Sequence, residues 1–120
     1  MALYVGSVVI DVEDVERASQ FWAAALHLVV RDADPTFVVL MDPNRRWANV
    51  SIQRSDGPKA GPNRVHLDLY SDNQRGEVER LTDLGAVRLA RDYPPDADYI
   101  VMADPDGNEF CVIASPYPQS

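Results

Sequence analysis

Apolar positions in the first half of the chain change their spacing at Asp14. Before it, residues 5–12 are mostly branched and apolar, which predicts a strand. After it, apolar residues recur every three or four positions and predict an amphipathic helix with Asp14 as its N-cap: Val15, Ala18, Trp22, Ala25 and Leu26. Short strands are predicted around 29–30, over 37–41 and over 49–54. The predicted order is β-α-β-β-β.

The second half repeats this order after a break in the pattern. Residues 55–63 hold two glycines and two prolines without apolar spacing, which predicts a connection. Alternation over 65–70 predicts a strand, and helical spacing over 77–84 predicts a helix that Gly85 terminates. Further strands are predicted near Val87, over 99–103 and over 108–114.

The two halves also share a short motif. FVVLMDPN and YIVMADPD, at 37–44 and 99–106, are apolar runs closed by Asp-Pro and a small polar residue. They indicate two copies of one unit, with chance recurrence of Asp-Pro turns as the alternative. We predict an α+β fold of tandem βαβββ modules forming one domain with a cleft between curved sheets: module one 1–54, linker 55–63 and module two 64–120.

Composition and charge narrow the class of ligand. A chain of 120 residues has room for one domain, and its net charge of -8 disfavours nucleic acid and anionic membranes as partners. The acidic balance favours a neutral or cationic small molecule. No apolar run approaches the ~20 residues of a membrane span, and the amino terminus lacks the layout of a signal peptide. The lone cysteine, Cys111, excludes an intrachain disulfide, and we expect a cytoplasmic protein.

Three segments together carry a family resemblance. They are VVIDVEDVERASQFWAAAL in module one, NRVHLDLYSDN at the start of module two, and the closing DPDGNEFCVI. With the paired β-α-β-β-β order, the chain resembles the vicinal oxygen chelate superfamily, which includes glyoxalase I, extradiol dioxygenases and bleomycin-resistance proteins. The resemblance covers nearly the whole length and implies a glyoxalase-like fold, a small-molecule ligand in the cleft and a homodimer.

The resemblance also implies four positions for metal ligands. They fall on Ser7, Gln53 (or Ser51, if the register differs by two), His66 and Cys111. Divalent metals in proteins prefer several imidazoles, thiolates or carboxylates, and a hydroxyl and an amide are weak substitutes. We therefore expect no resident cofactor. The open alternative is a divalent metal, such as zinc held by His66, Cys111 and Glu109, because Glu109 and Cys111 share a strand face.

Several side chains are candidates for ligand contact. His66 and Asp68 point to the same side of their strand, so His66 is either a general base or ligand anchor, or a histidine held by Asp68 for packing. Cys111 is either a reactive thiolate or an inert small side chain. Tyr70 continues the face of His66, and Ser7, Gln53 and Glu109 are further candidates for ligand contact. The aromatic candidates for the cleft are Trp47 and Tyr93, with Phe37 and Tyr99 as further possibilities.

These residues predict a metal-independent small-molecule-binding protein of the drug-sequestration kind, which takes an aromatic or cationic ligand. The alternative is a lyase or isomerase of the same superfamily, with His66 and Asp68 as catalytic residues and with or without a divalent metal. A purely structural interaction module, whose cleft would be filled by side chains, is the third hypothesis.

Overall fold

The computed structural model describes residues 5–57, 61, 63 and 66–114. They separate into two compact units, Met1–Lys59 and Ala60–Ser120. The first unit contains β1 (Ser7–Val12), α1 (Val15–Leu26), β2 (Val29–Asp34), β3 (Phe37–Met41) and β4 (Asn49–Arg54). The second contains β5 (Leu67–Ser71), α2 (Gln74–Asp83), β6 (Val87–Arg88), β7 (Tyr99–Ala103) and β8 (Glu109–Ala114). The boundary falls within the predicted connection, and the cleft shared by two modules stays a prediction.

Each unit builds one four-stranded mixed sheet. The strand order is β1-β4-β3-β2 in the first unit and β5-β8-β7-β6 in the second. In both sheets the first and last strands of the unit pair in parallel, and the other pairs are antiparallel. The predicted α+β fold and its repeated β-α-β-β-β order are confirmed.

One helix packs on one face of each sheet, and the core lies between the helix and the sheet. Trp22 of α1 packs in the first unit with the buried side chains of Leu40 and Ile52. In the second unit, Leu81 of α2 is buried with Met102, Phe110 and Val112. Because side chains alternate along a strand, residues one position away point to the opposite face, which is called the open face below.

The helix boundaries follow their capping residues. Arg17 N donates to Asp14 Oδ1 over 3.0 Å, so α1 begins as predicted. α2 begins three residues earlier than predicted, because the side chain of Asn73 accepts a hydrogen bond from Gly76 N and caps the helix there. Gly85 follows α2 with φ of 118°, as expected for a glycine that ends a helix. Within the described ranges, neither helix has the length and apolar character needed to cross a membrane.

Two strands start later than predicted, and β8 is one of them, because it begins at Glu109 rather than at 108. β1 begins at Ser7, so the predicted start at 5 is two residues early. The predicted start of the fifth strand at 65 lies outside the described residues, and β5 is described from Leu67.

A buried aspartate organises the turn before the last strand of each unit. Asp42 accepts hydrogen bonds from Asn44 N and Arg46 N and forms an ion pair with the Arg46 guanidinium, with Nε 2.8 Å from Oδ2. Asp104 accepts from Asp106 N, from Asn108 N at 2.8 Å and from Asn108 Nδ2. The shared Asp-Pro motif therefore encodes an equivalent turn in both units.

We expect Asp42 to make the stability of the first unit depend on pH. The hydrogen bond from the Arg46 side chain lowers the pKa of Asp42 from 3.8 to about 2. A carboxylate whose folded-state pKa is depressed contributes stability above its unfolded pKa, and this stability is lost as the pH falls through the folded pKa. The difference in unfolding free energy between the wild type and Asp42→Asn should therefore be full at neutral pH and shrink between about pH 4 and pH 2.

Urea denaturation across this pH range measures the effect. The matched control is Asp56→Asn, which removes an exposed carboxylate of the same unit. A constant difference between wild type and Asp42→Asn from pH 7 to pH 2 would contradict this account.

Candidate functional site

The open face of the second sheet gathers the polar residues singled out in module two. β5 and β8 lie side by side in parallel, and Asp68 pairs with Cys111 in their register. Strand alternation buries Phe110 and Val112 towards α2 and leaves Asp68, Tyr70, Glu109 and Cys111 on the other face. The site therefore follows from strand register, with His66 directly preceding β5.

His66, Asp68 and Cys111 form a close cluster. His66 Nε2 lies 3.2 Å from Asp68 Oδ1, and both side chains are about half exposed, at 55% and 47%. One potential ligand atom from each of the three residues lies within 4.8 Å of the others. The structure thus brings together residues that lie up to 45 positions apart in the sequence, from His66 to Cys111. Half-exposed ionisable groups in this arrangement are accessible to a ligand.

A cavity of about 200 Å³ adjoins this cluster. Its lining includes His66, Glu109 and Cys111, with Val101 and Phe110 beneath them. Arg91 and Asn63 complete the wall. Arg91 Nη2 donates to Glu109 Oε1 at 3.0 Å, while Asn63 Nδ2 donates to the backbone oxygen of Glu109 at 2.9 Å.

Arg91 and Asn63 were not among the candidates from the sequence. Arg91 lies between β6 and β7, and its place at the cavity depends on a pairing with Glu109 across 18 positions. The sequence indicates this pairing only through the opposite charges of the two residues.

The structure changes the interpretation of Tyr93. Its hydroxyl donates to Leu89 O at 3.1 Å and accepts from Val101 N at 2.9 Å. These bonds tie the segment before β7 to the sheet, so the Tyr93 hydroxyl serves the fold. Its ring lies 5.6 Å from that of Tyr99. Tyr70, in contrast, is 55% exposed on the open face.

The candidates in module one lie in the first unit and have partners there. Ser7 Oγ and Ser51 Oγ share a hydrogen bond of 2.6 Å, and Gln53 Nε2 donates to Asp11 Oδ1 at 3.0 Å. Ser51 and Gln53 share a face of β4, so both registers considered for this position point the same way. The ring of Trp47 is half exposed, and the Arg46 guanidinium lies 4.2 Å from its centroid in a cation–π contact.

The donors of the cluster fit a zinc-type ion better than the sequence indicated. Imidazole, carboxylate and thiolate are all good zinc ligands, and three of them leave a fourth position open, as in catalytic zinc sites. The third donor is Asp68, and the expected Glu109 pairs with Arg91 instead. His66, Asp68 and Cys111 would therefore hold such an ion. The ion would supply Lewis-acid chemistry at this face.

The charge state of Cys111 follows from its surroundings. Burial raises the pKa of the thiol above its usual value of 9.0, and the carboxylates of Asp68 and Glu109 raise it further. Cys111 is therefore a neutral thiol at physiological pH in the absence of a metal. This favours the inert side chain over the reactive thiolate among the two sequence interpretations.

The chain matches a family model, described as the glyoxalase-like domain, over residues 7–113. It belongs to the glyoxalase-like domain family. No curated protein matches it.

Solved structures of similar fold extend this comparison. A glyoxalase-related enzyme from Fulvimarina pelagi is 17% identical over 99% of this chain and 94% of its own, with a TM-score of 0.73. The fosfomycin resistance protein FosX from Listeria monocytogenes, a mutant solved with Mn(II) and 1S,2S-dihydroxypropylphosphonic acid, is 15% identical over 96% and 92%, with a TM-score of 0.75. The bleomycin-binding protein of Streptomyces verticillus, solved with copper(II)-bleomycin, is 17% identical over 96% and 99%, with a TM-score of 0.65. At these identities the likeness shows the fold alone.

We expect Cys111 to be alkylated slowly. Its raised pKa lowers the thiolate fraction, so iodoacetamide should modify it more slowly at pH 8 than an unstructured cysteine peptide. Glu109→Gln removes one of the charges that raise the pKa, so the rate should increase. Mass spectrometry of the labelled protein gives both rates. Glu79→Gln, an exposed charge change on α2, is the control. A rate in the wild type equal to that of the peptide would be inconsistent with the neutral, shielded thiol.

Proposed function

We propose that this chain is a small-molecule-binding protein whose ligand lies on the open face of the second sheet. The cluster of His66, Asp68 and Cys111 beside a cavity carries this proposal. Ionisable groups that converge at a concave surface are the usual mark of a binding site. The glyoxalase-like family supports a ligand at a sheet face. The FosX and bleomycin-binding relatives, which were solved with small molecules, are consistent with this class.

The cavity suits the polar end of a ligand. A volume of about 200 Å³ lies below the ~300–1,000 Å³ typical of pockets that enclose a drug-sized molecule. In its lining the Glu109 carboxylate accepts hydrogen bonds, and the Arg91 guanidinium and Asn63 amide donate them. Asp68 lies beside the cavity, in the cluster with His66 and Cys111. Asp68 is half exposed and pairs with His66, so it is accessible to a cationic or hydrogen-bond-donating group.

An aromatic strip continues from the cavity along the same face. Tyr70 pairs with Ile113 in the register of β5 and β8, and Ile113 pairs with Tyr99 on its other side. On the open face, the side chain of Ile113 therefore lies between the phenol rings of Tyr70 and Tyr99. We infer that the ligand has a polar or cationic head in the cavity and an aromatic body over Tyr70.

The state of Cys111 supports binding without covalent chemistry. A thiol whose pKa is raised is a poor nucleophile, so capture of the ligand by hydrogen bonds and apolar contact is the simpler use of this face. We propose that the site works without a metal. The donor set nevertheless makes zinc the metal to test.

A lyase or isomerase activity is the second candidate function, and one observation favours it. Asp68 Oδ1 lies 3.2 Å from His66 Nε2, a geometry in which a carboxylate orients an imidazole. The other imidazole nitrogen would then accept a proton from a bound substrate. Conversion of a bound compound that is lost in His66→Ala would support this function.

The sequence also predicts a cytoplasmic homodimer. The single cysteine supports a reducing compartment, and the family resemblance supports pairing. Both remain predictions that sedimentation and cell fractionation can test.

Binding is tested with matched aromatic probes. The probes are 4-phenylbutylamine, 4-phenylbutanol and 4-phenylbutyrate, with metal-free bleomycin as a larger cation. Titrations followed by ¹H–¹⁵N NMR should shift amides in β5, β7 and β8, and the amine should bind at least about tenfold more tightly than the carboxylate, because a charge-assisted hydrogen bond contributes ~1.5–3 kcal/mol.

Asp68→Asn should abolish the preference for the amine, and Tyr70→Ala should weaken all three phenyl probes about tenfold. Glu79→Gln, which removes an equal charge from exposed α2, should leave binding unchanged. Failure of every probe to shift β5 and β8, or identical binding by Asp68→Asn, would overturn the proposal. Adding zinc to the same samples tests whether metal changes the affinity.

A further inference from the structure

A groove in the first unit lies on the helix side of its sheet, opposite the open face. One helix with its side chains is about 10 Å wide and neighbouring strands are about 4.8 Å apart, so α1 covers about two strands of the four. It packs on β3 and β4. The edge strand β2 therefore has helix-side residues that are uncovered, and Val30 is 56% exposed. A cavity of about 750 Å³ occupies this gap.

The edge strand beside this groove is longer than the equivalent strand of the second unit. β2 has six residues, whereas β6, the equivalent edge strand of the second unit, has two. The longer strand forms a second wall facing α1. The volume lies within the ~300–1,000 Å³ range of small-molecule pockets.

The floor and one end of the groove are apolar and aliphatic. No aromatic side chain is among the described lining residues. Val38 lies on the helix side of β3, next to Ala33 of β2 in the strand register. The apolar lining consists of Val15, Ala23, Val30, Ala33, Pro35 and Val38. Such a surface suits an alkyl chain better than a flat ring.

The other end of the groove is acidic. The start of α1 and the end of β2 contribute four carboxylate side chains, which are those of Glu13, Asp14, Glu16 and Asp34. Arg54 is a basic residue in the same lining. Asp34 accepts hydrogen bonds from Thr36 N, Thr36 Oγ1 and Phe37 N, which hold its pKa below the usual value and keep it charged.

An unpaired hydroxyl lies between the two ends. Ser19 lines the groove from α1, and its Oγ is buried and has no hydrogen-bond partner among the described residues. Buried polar atoms are nearly always paired in folded proteins. Rotation of the Ser19 side chain about its Cα–Cβ bond would turn this hydroxyl towards the groove, where a bound ligand would supply the missing partner.

We propose that this groove binds an aliphatic amine, with its ammonium group at the carboxylates and its alkyl chain along Val38 towards Ala23 and Val30. From Asp14 to Ala23 the helix rises about 14 Å, enough for an alkyl chain of six carbons. The opposed acidic and aliphatic ends match the two parts of such a molecule in charge and polarity. This site is separate from the aromatic site proposed on the second unit.

Hexylammonium is the test probe, with hexanol and hexanoate as matched neutral and anionic controls. In ¹H–¹⁵N NMR titrations at low salt, hexylammonium should shift amides of α1 and β2 and bind at least tenfold more tightly than hexanol. Its affinity should fall as salt rises, because the carboxylates are near the surface. Hexanoate should not bind.

Two variants test separately how the charge and the shape of the groove contribute to binding. Glu16→Gln should weaken hexylammonium at least threefold and leave hexanol unchanged, whereas Ala33→Phe should fill the groove and weaken both. Glu79→Gln on α2 removes a charge from the other unit and should change neither. His66→Ala should also leave hexylammonium binding intact, so failure of the site on the second unit does not affect this test.

Three results would overturn the proposal. They are equal affinity for hexylammonium and hexanol, amide shifts confined to β5 and β8, and a concentration-dependent dimer that protects α1 and β2 while the amine has no effect. The last result would identify a second copy of the chain as the occupant of the groove.

Discussion

The buried carboxylate of Asp104 is the constraint on which the candidate site depends. It accepts two backbone hydrogen bonds and one from the Asn108 side chain, and so fixes the turn that leads from β7 into β8. The position of β8 decides which residue faces Asp68. With this register Cys111 lies opposite Asp68. Glu109, two residues earlier in β8, forms an ion pair with Arg91. Asp42 has the same structural role in the first unit, where an arginine replaces the asparagine as partner.

The repeat explains both how much of the fold the sequence predicts and where prediction ends. Local patterns suffice for the strands over 37–41, 49–54 and 99–103 and for the cap at Asp14, because each depends on neighbouring residues. The sequence predicts only some of the side chains that lie next to each other on neighbouring strands. That His66, Asp68 and Cys111 share a face follows from strand alternation and family resemblance. The pairing of Arg91 with Glu109 and the fixed hydroxyl of Tyr93 depend on tertiary contacts without a local signal.

The two units put the same architecture to different chemical use. In the second unit, the open face combines ionisable groups with exposed Tyr70, and burial keeps Cys111 a neutral thiol. In the first unit, the corresponding face pairs its polar groups with one another, Ser7 with Ser51 and Gln53 with Asp11. The long edge strand β2 instead opens a groove on the helix side. Two units of the same topology can thus have candidate binding sites on opposite faces of their sheets, because strand lengths and side chains differ between the units.

A cross-strand disulfide tests most directly whether the Asp104 turn sets the register of the site. Neighbouring strands are about 4.8 Å apart, within the ~4.4–6.8 Å that disulfides span between Cα atoms, so Asp68→Cys should form an intramolecular bond with Cys111 under mild oxidation. Mass spectrometry with thiol labelling should detect this bond in Asp68→Cys and free thiols in Leu69→Cys, because the side chain at position 69 points to the other face of the sheet. Adding Asp104→Ala should slow the closure at least about tenfold, since the lost hydrogen bonds contribute ~2 kcal/mol. Free thiols in Asp68→Cys, or closure in Leu69→Cys, would contradict the account.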